Sequence, residues 1–403
     1  VECVQRGLDP FRTDLVVADP SRGEGAICLA VSPSLREKGV RNRCRIYEIP
    51  KNLTYITAMP QMKKYMQISA DIYGVYLRYV SSDDIHVYSI DECFIDMTQY
   101  LRIYGKTPKE MAVMLMDAVY EETGITATAG IGTNLFLAKV ALDITAKHSD
   151  DHIGYLDEDL YREQLWHHRP ISDIWNVGRG IAARLEKYGV YDMKGVSEMD
   201  EKLLYREFGI NAEYLIDHSK GIEPCTIKDI HEYRSKSNSL SNGQVLFEDY
   251  SFDDALILVR EMVDMLTLEL VEKDLVTNGI SLSVGYSKNG VSSTGGSRKI
   301  KEFTNSEKKL MAYFEELYRN TTRRDEPIRR LNVGFNNVLD ESYATVDMFT
   351  DLEEEEREHD MQDAIISIKN RFGKNAIIRG MSLQDKATAT KRNKLIGGHN
   401  SGE

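Results

Sequence analysis

The sequence predicts an α+β multidomain protein, and three observations carry that prediction. At 403 residues the chain is long enough for two to four domains. Between 51 and 160, helical and strand-like stretches follow one another in a way that fits helices packed on one face of a mixed sheet. Between 241 and 340, strand-like and helical segments alternate again, after a polar stretch that reads as a linker.

Composition narrows the class. Apolar residues make up 42% of the chain, ample for real cores, and no apolar run is long enough to span a bilayer. The opening residues are polar and charged and do not read as a signal peptide. Cys3, Cys28, Cys44, Cys93 and Cys225 are odd in number, scattered and without metal-ligand spacing, which suits reduced thiols in a cytoplasm. The net charge of −13 argues at face value against a nucleic-acid partner. Asp351, Glu353, Glu354, Glu355, Glu356, Glu358 and Asp360 are opposed only by Arg357, however, so this one run carries −6. A local basic stripe matters more for phosphate binding than the average does.

In chain order, 15–18 reads as a strand ended by Asp19-Pro20, 25–31 as a second strand, and 33–38 as a short helix stopped by Gly39. Arg41, Arg43 and Arg45 alternate, so a strand would show them on one face. Apolar residues over 55–80 recur at mainly helical spacing and read as packing. Two runs rich in β-branched and aromatic residues, 85–90 and 93–97, flank Asp91-Glu92 and read as a hairpin with both carboxylates at its bend. Adjacent side chains serve one site only where the backbone turns, and two carboxylates held together repel unless a cation sits between them. A solvated acidic turn is the competing reading. A helix over 108–123 should end at Gly124, followed by a strand over 125–131. Residues 130–147 read as strand, turn and helix: Gly130 and Gly132 permit close backbone approach, Asn134 caps, and Leu137, Ala138, Val140 and Ala141 bury the helix. Val177-Gly178-Arg179-Gly180 is a tight glycine turn before a helix over 181–188 ended by Gly189. Residues 226–240 read as the linker. Helices over 253–273 and 306–318 and strands over 279–286 and 328–335 follow, with a Ser/Gly/basic cluster over 288–301 between them. Residues 341–403 read as a tail with a helix over 361–372, and partial disorder is expected beyond Asp385.

Three of these blocks carry a resemblance. Tyr88-Ser89-Ile90-Asp91-Glu92-Cys93-Phe94-Ile95-Asp96 resembles the palm motif of the Y-family (translesion) DNA polymerases. The block from Ala129 to Ala141, ending at Ala146-Lys147-His148, is similar to that family too, and 176–185 resembles a helix-hairpin-helix. The blocks stand in the family's order, and the resemblance covers roughly residues 1–340. Within the family the chain looks most like the UmuC-like branch of Gram-positive bacteria, as does its C-terminal Ile396-Gly397-Gly398-His399-Asn400-Ser401-Gly402.

The resemblance implies a right-hand polymerase. Residues 1–13 and 51–160 would form a ferredoxin-like palm, 14–50 small fingers, 161–225 a helical thumb, 241–340 an α+β little finger and 341–403 the tail. It implies template-directed addition of dNTPs to a primer 3′ end in translesion synthesis during the DNA damage response. Asp91 and Glu92 would bind two Mg²⁺ ions about 4 Å apart. Arg36 and Lys147 would balance the charge of the dNTP triphosphate. The chain departs from the family where Pro33 or Ser34 stands in place of a Tyr that makes a second triphosphate contact, and where Leu135 stands for a Lys, so any phosphate contact at 135 is lost. A further metal-binding Asp would lie about nine residues before Glu2, and an aromatic that rejects ribonucleotides about three before Val1, which is expected if the sequence starts late. Glu2 then matches a motif position that supports the site. Val177, Gly178 and Gly180 would receive a primer-template phosphate on backbone N–H groups. Lys288, Arg298, Lys299 and Lys301 would meet the DNA backbone. Met348 and Phe349 would anchor a degraded sliding-clamp peptide whose usual Gln is Thr345 here.

Two other readings stay open at this point. One is a catalytically incomplete palm-fold protein that grips primer-template DNA or the clamp as a scaffold. The other is a nucleotide cyclase, which also pairs acidic residues on a hairpin but needs no DNA grip.

Overall fold

A computed structural model of the chain describes residues 1–235, 238–287, 290–345 and 351–402. The chain divides into two compact units, Val1–Pro10 with Lys64–Tyr233, and Phe11–Lys63 with Arg234–Glu403.

In the first unit, strands Ile85–Val87 and Cys93–Ile95 pair antiparallel, with Val87 opposite Cys93. Helix Pro108–Thr123 opens on a capping box between Thr107 and Glu110 and ends at Gly124 in the left-handed region. Strands Ala129–Gly132 and Ile153–Leu156 pair parallel. Between them helix Leu135–Val140 runs on through a π-turn, Ala141–Thr145, into a 3₁₀ turn, Ala146–His148. Glycine lets this helix lie on its own strand. A Cβ on Gly132 would fall 2.2 Å from the Ala138 amide nitrogen, and one on Gly130 2.2 Å from the Ala138 carbonyl. Helices Arg179–Glu186, Met193–Ser197, Glu201–Phe208 and Ala212–Ser219 then share one core with this strand–helix block, built from Phe136, Leu137, Val140, Leu156, Tyr161, Leu185, Leu204 and Leu215.

In the second unit, strands Ala30–Val31, Leu15–Val17 and Ile56–Ala58 form a small sheet in that order, the first pair antiparallel and the second parallel. It covers Val16, Cys28, Leu35 and Val40. The larger sheet is antiparallel throughout, in the order Thr294–Thr304, Leu275–Tyr286, Ile328–Asp340, Ser239–Tyr250. Helices Phe252–Glu272 and Glu307–Thr321 cover one face. The register puts Leu331, Val333 and Phe335 opposite Val284, Leu282 and Ile280, all buried. The intervening residues, on the other face by the pleat, pair Asn332 with Ser283 and Gly243, and Gly334 with Ser281 and Ser241.

Several expectations need correction. Arg41, Arg43 and Arg45 do not lie on a strand: Arg43 is left-handed (φ 56°), and the segment makes one isolated bridge, Ile27 to Arg45. The apolar run over 55–80 is not all helix. Its start is the Ile56–Ala58 strand, and the helix is Met62–Tyr76. Among the described residues the first unit holds two separate two-stranded sheets rather than one mixed sheet. The polar stretch at 226–240 contains a helix, Ile227–Glu232, opened by a capping box of Thr226 and Asp229 and anchored by buried Ile227. That capping signal outweighs the Ser/Lys composition.

The segment beyond Asp385 is packed rather than disordered. The buried Glu261 carboxylate accepts the N–H groups of Thr388 (2.9 Å) and Ala389 (3.0 Å). Strands Leu395–Ile396 and His399–Asn400 close a hairpin. Upstream, Arg379 bonds Asp264 at 2.9 Å and also pairs with Glu307. Charged bonds to buried carboxylates order a segment that has too few apolar residues to announce itself by composition.

The strand–helix contact yields a stability test. Gly132→Ala should lower stability by about 2–3 kcal/mol, because backbone on both sides has to move. Chemical denaturation followed by circular dichroism measures it, and a loss under about 0.5 kcal/mol contradicts the contact.

Candidate active site and nucleic-acid interface

The bend between Val87 and Cys93 is held by one carbonyl. Glu92 O accepts the N–H groups of both Tyr88 and Ser89 at 3.0 Å. This folds Tyr88–Glu92 into a five-residue loop and turns the two carboxylates out of the strand alternation, as the sequence suggested. Asp91 is exposed, and its Oδ1 accepts the Ser89 hydroxyl at 2.7 Å. Glu92 is half-buried and faces a cation. Lys139 Nζ lies 3.0 Å from both Glu92 carboxylate oxygens and 3.2 Å from Asp143 Oδ1.

Lys139 and Asp143 are functional candidates that sequence reasoning missed. Lys139 is only 7% exposed, on the Leu135–Val140 helix between Ala138 and Val140. Burial works against its charge, but the bonds to Glu92 and Asp143 outweigh it and raise its pKa, so the ammonium stays charged. A lysine inside the apolar run 136–141 was the available signal, since a buried lysine implies a paired one. The helix is fixed by Asn134, whose Oδ1 accepts Leu137 N–H at 2.9 Å and whose Nδ2 donates to the Gly221 carbonyl at 2.9 Å.

Aromatic rings surround this ion cluster. Lys139 Nζ sits 5.6 Å from the centroid of the Tyr88 ring. Tyr88, Phe94 and Trp175 lie mutually 5.6–6.0 Å apart, and Trp175 Nε1–H donates to the Tyr88 hydroxyl at 3.0 Å. Beneath them His218 stacks on Phe136 at 4.0 Å, and its Nε2 lies 2.9 Å from Glu223, both side chains buried. Burial would raise the Glu223 carboxyl, but the bonds from His218 and from Cys225 N–H outweigh it and hold it below the usual carboxylate range. Burial pushes the Cys93 thiol up to about 11, so it is not a thiolate nucleophile.

The other predicted residues fall as follows. Lys147 is exposed at the end of the same helical run and has no ion pair among the described residues. Glu2 is buried; its Oε1 accepts the Tyr65 hydroxyl at 2.7 Å, and its other oxygen pairs with Arg6. In the second unit Arg36 is exposed on the last turn of helix Pro33–Glu37, whose Ser32 cap and buried Leu35 fix it.

Val177 is buried, and its N–H donates to the Ile174 carbonyl at 3.0 Å, so it packs the turn and offers no N–H to a phosphate. Gly178 and Gly180 are exposed at the start of helix Arg179–Glu186, which has no side-chain cap. Arg298 is already engaged, 2.8 Å from Glu316 and over the Tyr313 ring at 5.6 Å. Lys299 and Lys301 point away from buried Ile300 on the same strand and are exposed. That open face continues through Ser281, Ser283, Asn332, Gly243 and the exposed Arg330. Sequence reasoning missed Arg330 as part of it. Lys288, Met348 and Phe349 lie outside the described residues.

Comparison with known proteins gives consistent matches. The model of the impB/mucB/samB family matches residues 2–143, and that of the family's C-terminal domain matches 237–348. A Bacillus subtilis protein named for UV-damage repair, UvrX, is 27% identical over the whole chain and 94% of its own length. The proteins named DNA polymerase IV 2 of Bacillus subtilis and of Halalkalibacterium halodurans are 29% and 28% identical, over 96% of this chain and 92% of theirs. The fold is similar to that of a chimeric Y-family DNA polymerase, with a TM-score of 0.63 and 20% identity over 84% of this chain and 95% of the other. Among the described residues no helix is long and apolar enough to cross a membrane.

The Glu223 pair makes an acid-stability test. A carboxyl lowered in the fold stabilises fully above its unfolded pKa of about 4.3, and that contribution is lost as pH falls through the folded value. Glu223→Gln should therefore be less stable than the parent at pH 7, with the difference shrinking below about pH 4. Denaturant midpoints measured from pH 7 to pH 3 check it, and a difference independent of pH counts against the pairing.

Proposed function

The chain belongs to the Y-family DNA polymerases, and from that membership we propose that it is a template-directed DNA polymerase acting in translesion synthesis and DNA repair. The observation that carries the reading is the bend at Asp91-Glu92, where Asp91 is turned outward and Glu92 is steadied by the buried cation of Lys139. The primer 3′-hydroxyl attacks the α-phosphate of the incoming dNTP, and pyrophosphate leaves.

Y-family polymerases need a metal, and the donors here suit one. Asp91 presents exposed carboxylate oxygen, the hard donor that Mg²⁺ prefers. Among the described residues no cluster of three His, Cys, Asp or Glu forms a ligand set, so these two carboxylates would hold the ions as part of a shell. Two Mg²⁺ ions, when bound, lower the pKa of the primer hydroxyl and stabilise the leaving oxygens. Lys139 keeps Glu92 oriented and offsets the repulsion between neighbouring carboxylates. Arg36 and Lys147, each exposed in its own unit, are the cations proposed for the triphosphate.

For the primer-template, Gly178 and Gly180 start an uncapped helix whose N–H groups suit a backbone phosphate without reading sequence. Lys299, Lys301 and Arg330 stand on a sheet face whose middle is Ser281, Ser283, Asn332, Gly243 and Gly334, small enough there to let a phosphate backbone approach. The clamp contact through Met348 and Phe349 and a cytoplasmic location, suited to five free thiols, belong to the same proposal.

Primer extension by the whole gene product on a primed template, with Mg²⁺ and dNTPs, tests the reading. Asp91→Asn should reduce extension by at least about 10³-fold with primer-template affinity unchanged, since the exposed Asp91 supports little of the fold. A parent protein that binds DNA yet adds no nucleotide supports the scaffold reading instead. Lys299→Ala with Lys301→Ala should weaken DNA binding equally across sequences and reduce the salt slope by about 2. Fluorescence anisotropy over a salt series measures it, and an unchanged slope removes the pair from the interface.

A further inference from the structure

Trp175 stands where two parts of the first unit meet. It directly precedes the Asn176–Val177–Gly178 turn, and its indole reaches the catalytic hairpin. Its N–H donates to the Tyr88 hydroxyl at 3.0 Å, and its ring packs on Tyr88 and Phe94. Tyr88 lies three residues before Asp91, and its N–H is one of the two bonded to Glu92 O. The Tyr88 ring carries Lys139, and Lys139 carries Glu92. Trp175 has its own support from behind: His218 lies parallel to it at 6.0 Å and is fixed by Glu223.

We propose that Trp175 is a positioning residue for the metal-binding hairpin, acting through its hydrogen bond to Tyr88. The bond anchors the hydroxyl end of the Tyr88 ring and so holds the ring in place beside the Lys139 ammonium, which aims the Glu92 carboxylate. The same residue leads through Val177 into the helix start at Gly178 and Gly180 proposed above for a phosphate, so a helix start seated on DNA and a correctly aimed carboxylate are one arrangement. This inference rests on the polymerase reading for its kinetic consequence, while its physical content, a hairpin held by Trp175, stands apart from it.

Two conservative variants cut the same bond from opposite ends. Tyr88→Phe removes one oxygen and keeps the ring under Lys139. Trp175→Phe removes the donor and keeps an aromatic ring against Phe94 and His218. Loss of one neutral hydrogen bond corresponds to about fivefold to tenfold in rate when it acts only on the reacting geometry. Single-turnover dNTP incorporation by the whole gene product should show that loss in kcat for either variant, with KM for dNTP and Kd for primer-template within twofold of the parent. The double variant should be no slower than the worse single one, because the bond can be broken only once. Amide hydrogen exchange of 87–95 in the DNA-free protein should quicken to a similar degree in all three.

A kcat within twofold of the parent in either single variant, or losses that multiply in the double, overturns the proposal. If the parent extends no primer, the polymerase reading fails by itself, and hydrogen exchange decides the positioning: faster hairpin exchange in both variants supports it, unchanged exchange overturns it.

Discussion

A buried ammonium held between two carboxylates is the constraint on which the candidate site depends. Adjacent acidic residues at a bend are unstable neighbours unless something positive comes close. Lys139 meets that need from within the chain, and the demand propagates outward. The ammonium reaches Glu92 only because its helix lies flat on the Ala129–Gly132 strand. That close approach requires glycine at 130 and 132. The helix direction is then set by Asn134, which bonds both its own first turn and Gly221. One electrostatic requirement thus explains a glycine pattern, a cap and a link to a distant loop.

Much of this was legible in the sequence, and the limits have physical causes. The hairpin, the capped helix and the glycine approach are local features, and local signals predicted them. Asp91 and Glu92 stand out as two carboxylates at a turn, and it is the resemblance around them that sets them apart from a solvated acidic bend. Lys139 was overlooked because its partners are distant or on the next turn: Glu92 is 47 residues away, and Asp143 follows only through the π-turn. Val177 was misread because the sequence cannot say which N–H of a turn is already bonded. Arg298 was grouped with Lys299 and Lys301, yet strand alternation puts it beside Ile300 on the helix-covered side, where Glu316 and Tyr313 engage it. The period-2 rule makes that separation once 294–304 is a strand and not only a Ser/Gly/basic cluster. The C-terminal segment was read as partly disordered because its order comes from Glu261, Asp264 and Glu307 elsewhere in the chain.

The sheet of the second unit shows how one strand set serves two purposes. Its inner residues are large and apolar, and two helices cover them. Around the middle of the sheet its outer residues are so small that the register leaves Gly334 between Ser281 and Ser241, where a Cβ would come within 2.7 Å of the Ser281 hydroxyl. Small outer residues forgo side-chain packing, which is a loss to any strand. What they gain is a low surface with hydroxyl and amide groups near the backbone plane, suited to a partner with its own broad, polar, repetitive face.

The net charge of −13 is the last apparent obstacle to a polyanionic partner, and the fold sets nearly half of it apart. The acidic run forms the first half of helix Leu352–Phe372. Its carboxylates are directed at the exposed side of helix Glu307–Thr321: Glu354 bonds Lys308 at 2.7 Å, Glu355 bonds Lys309 at 2.7 Å, and Glu358 accepts Ser306 Oγ–H and Lys308 N–H. Glu358 therefore serves the N-terminus of that helix, where a negative charge is favourable. These carboxylates engage lysines on the helix-covered side of the sheet, while Lys299, Lys301 and Arg330 stand exposed on the other. A phosphate backbone responds to the charge within about a Debye length, roughly 10 Å at moderate salt. At that range what counts is the local set of Lys299, Lys301 and Arg330, while −6 of the chain's −13 lies along a helix whose carboxylates are engaged by Lys308, Lys309 and Ser306.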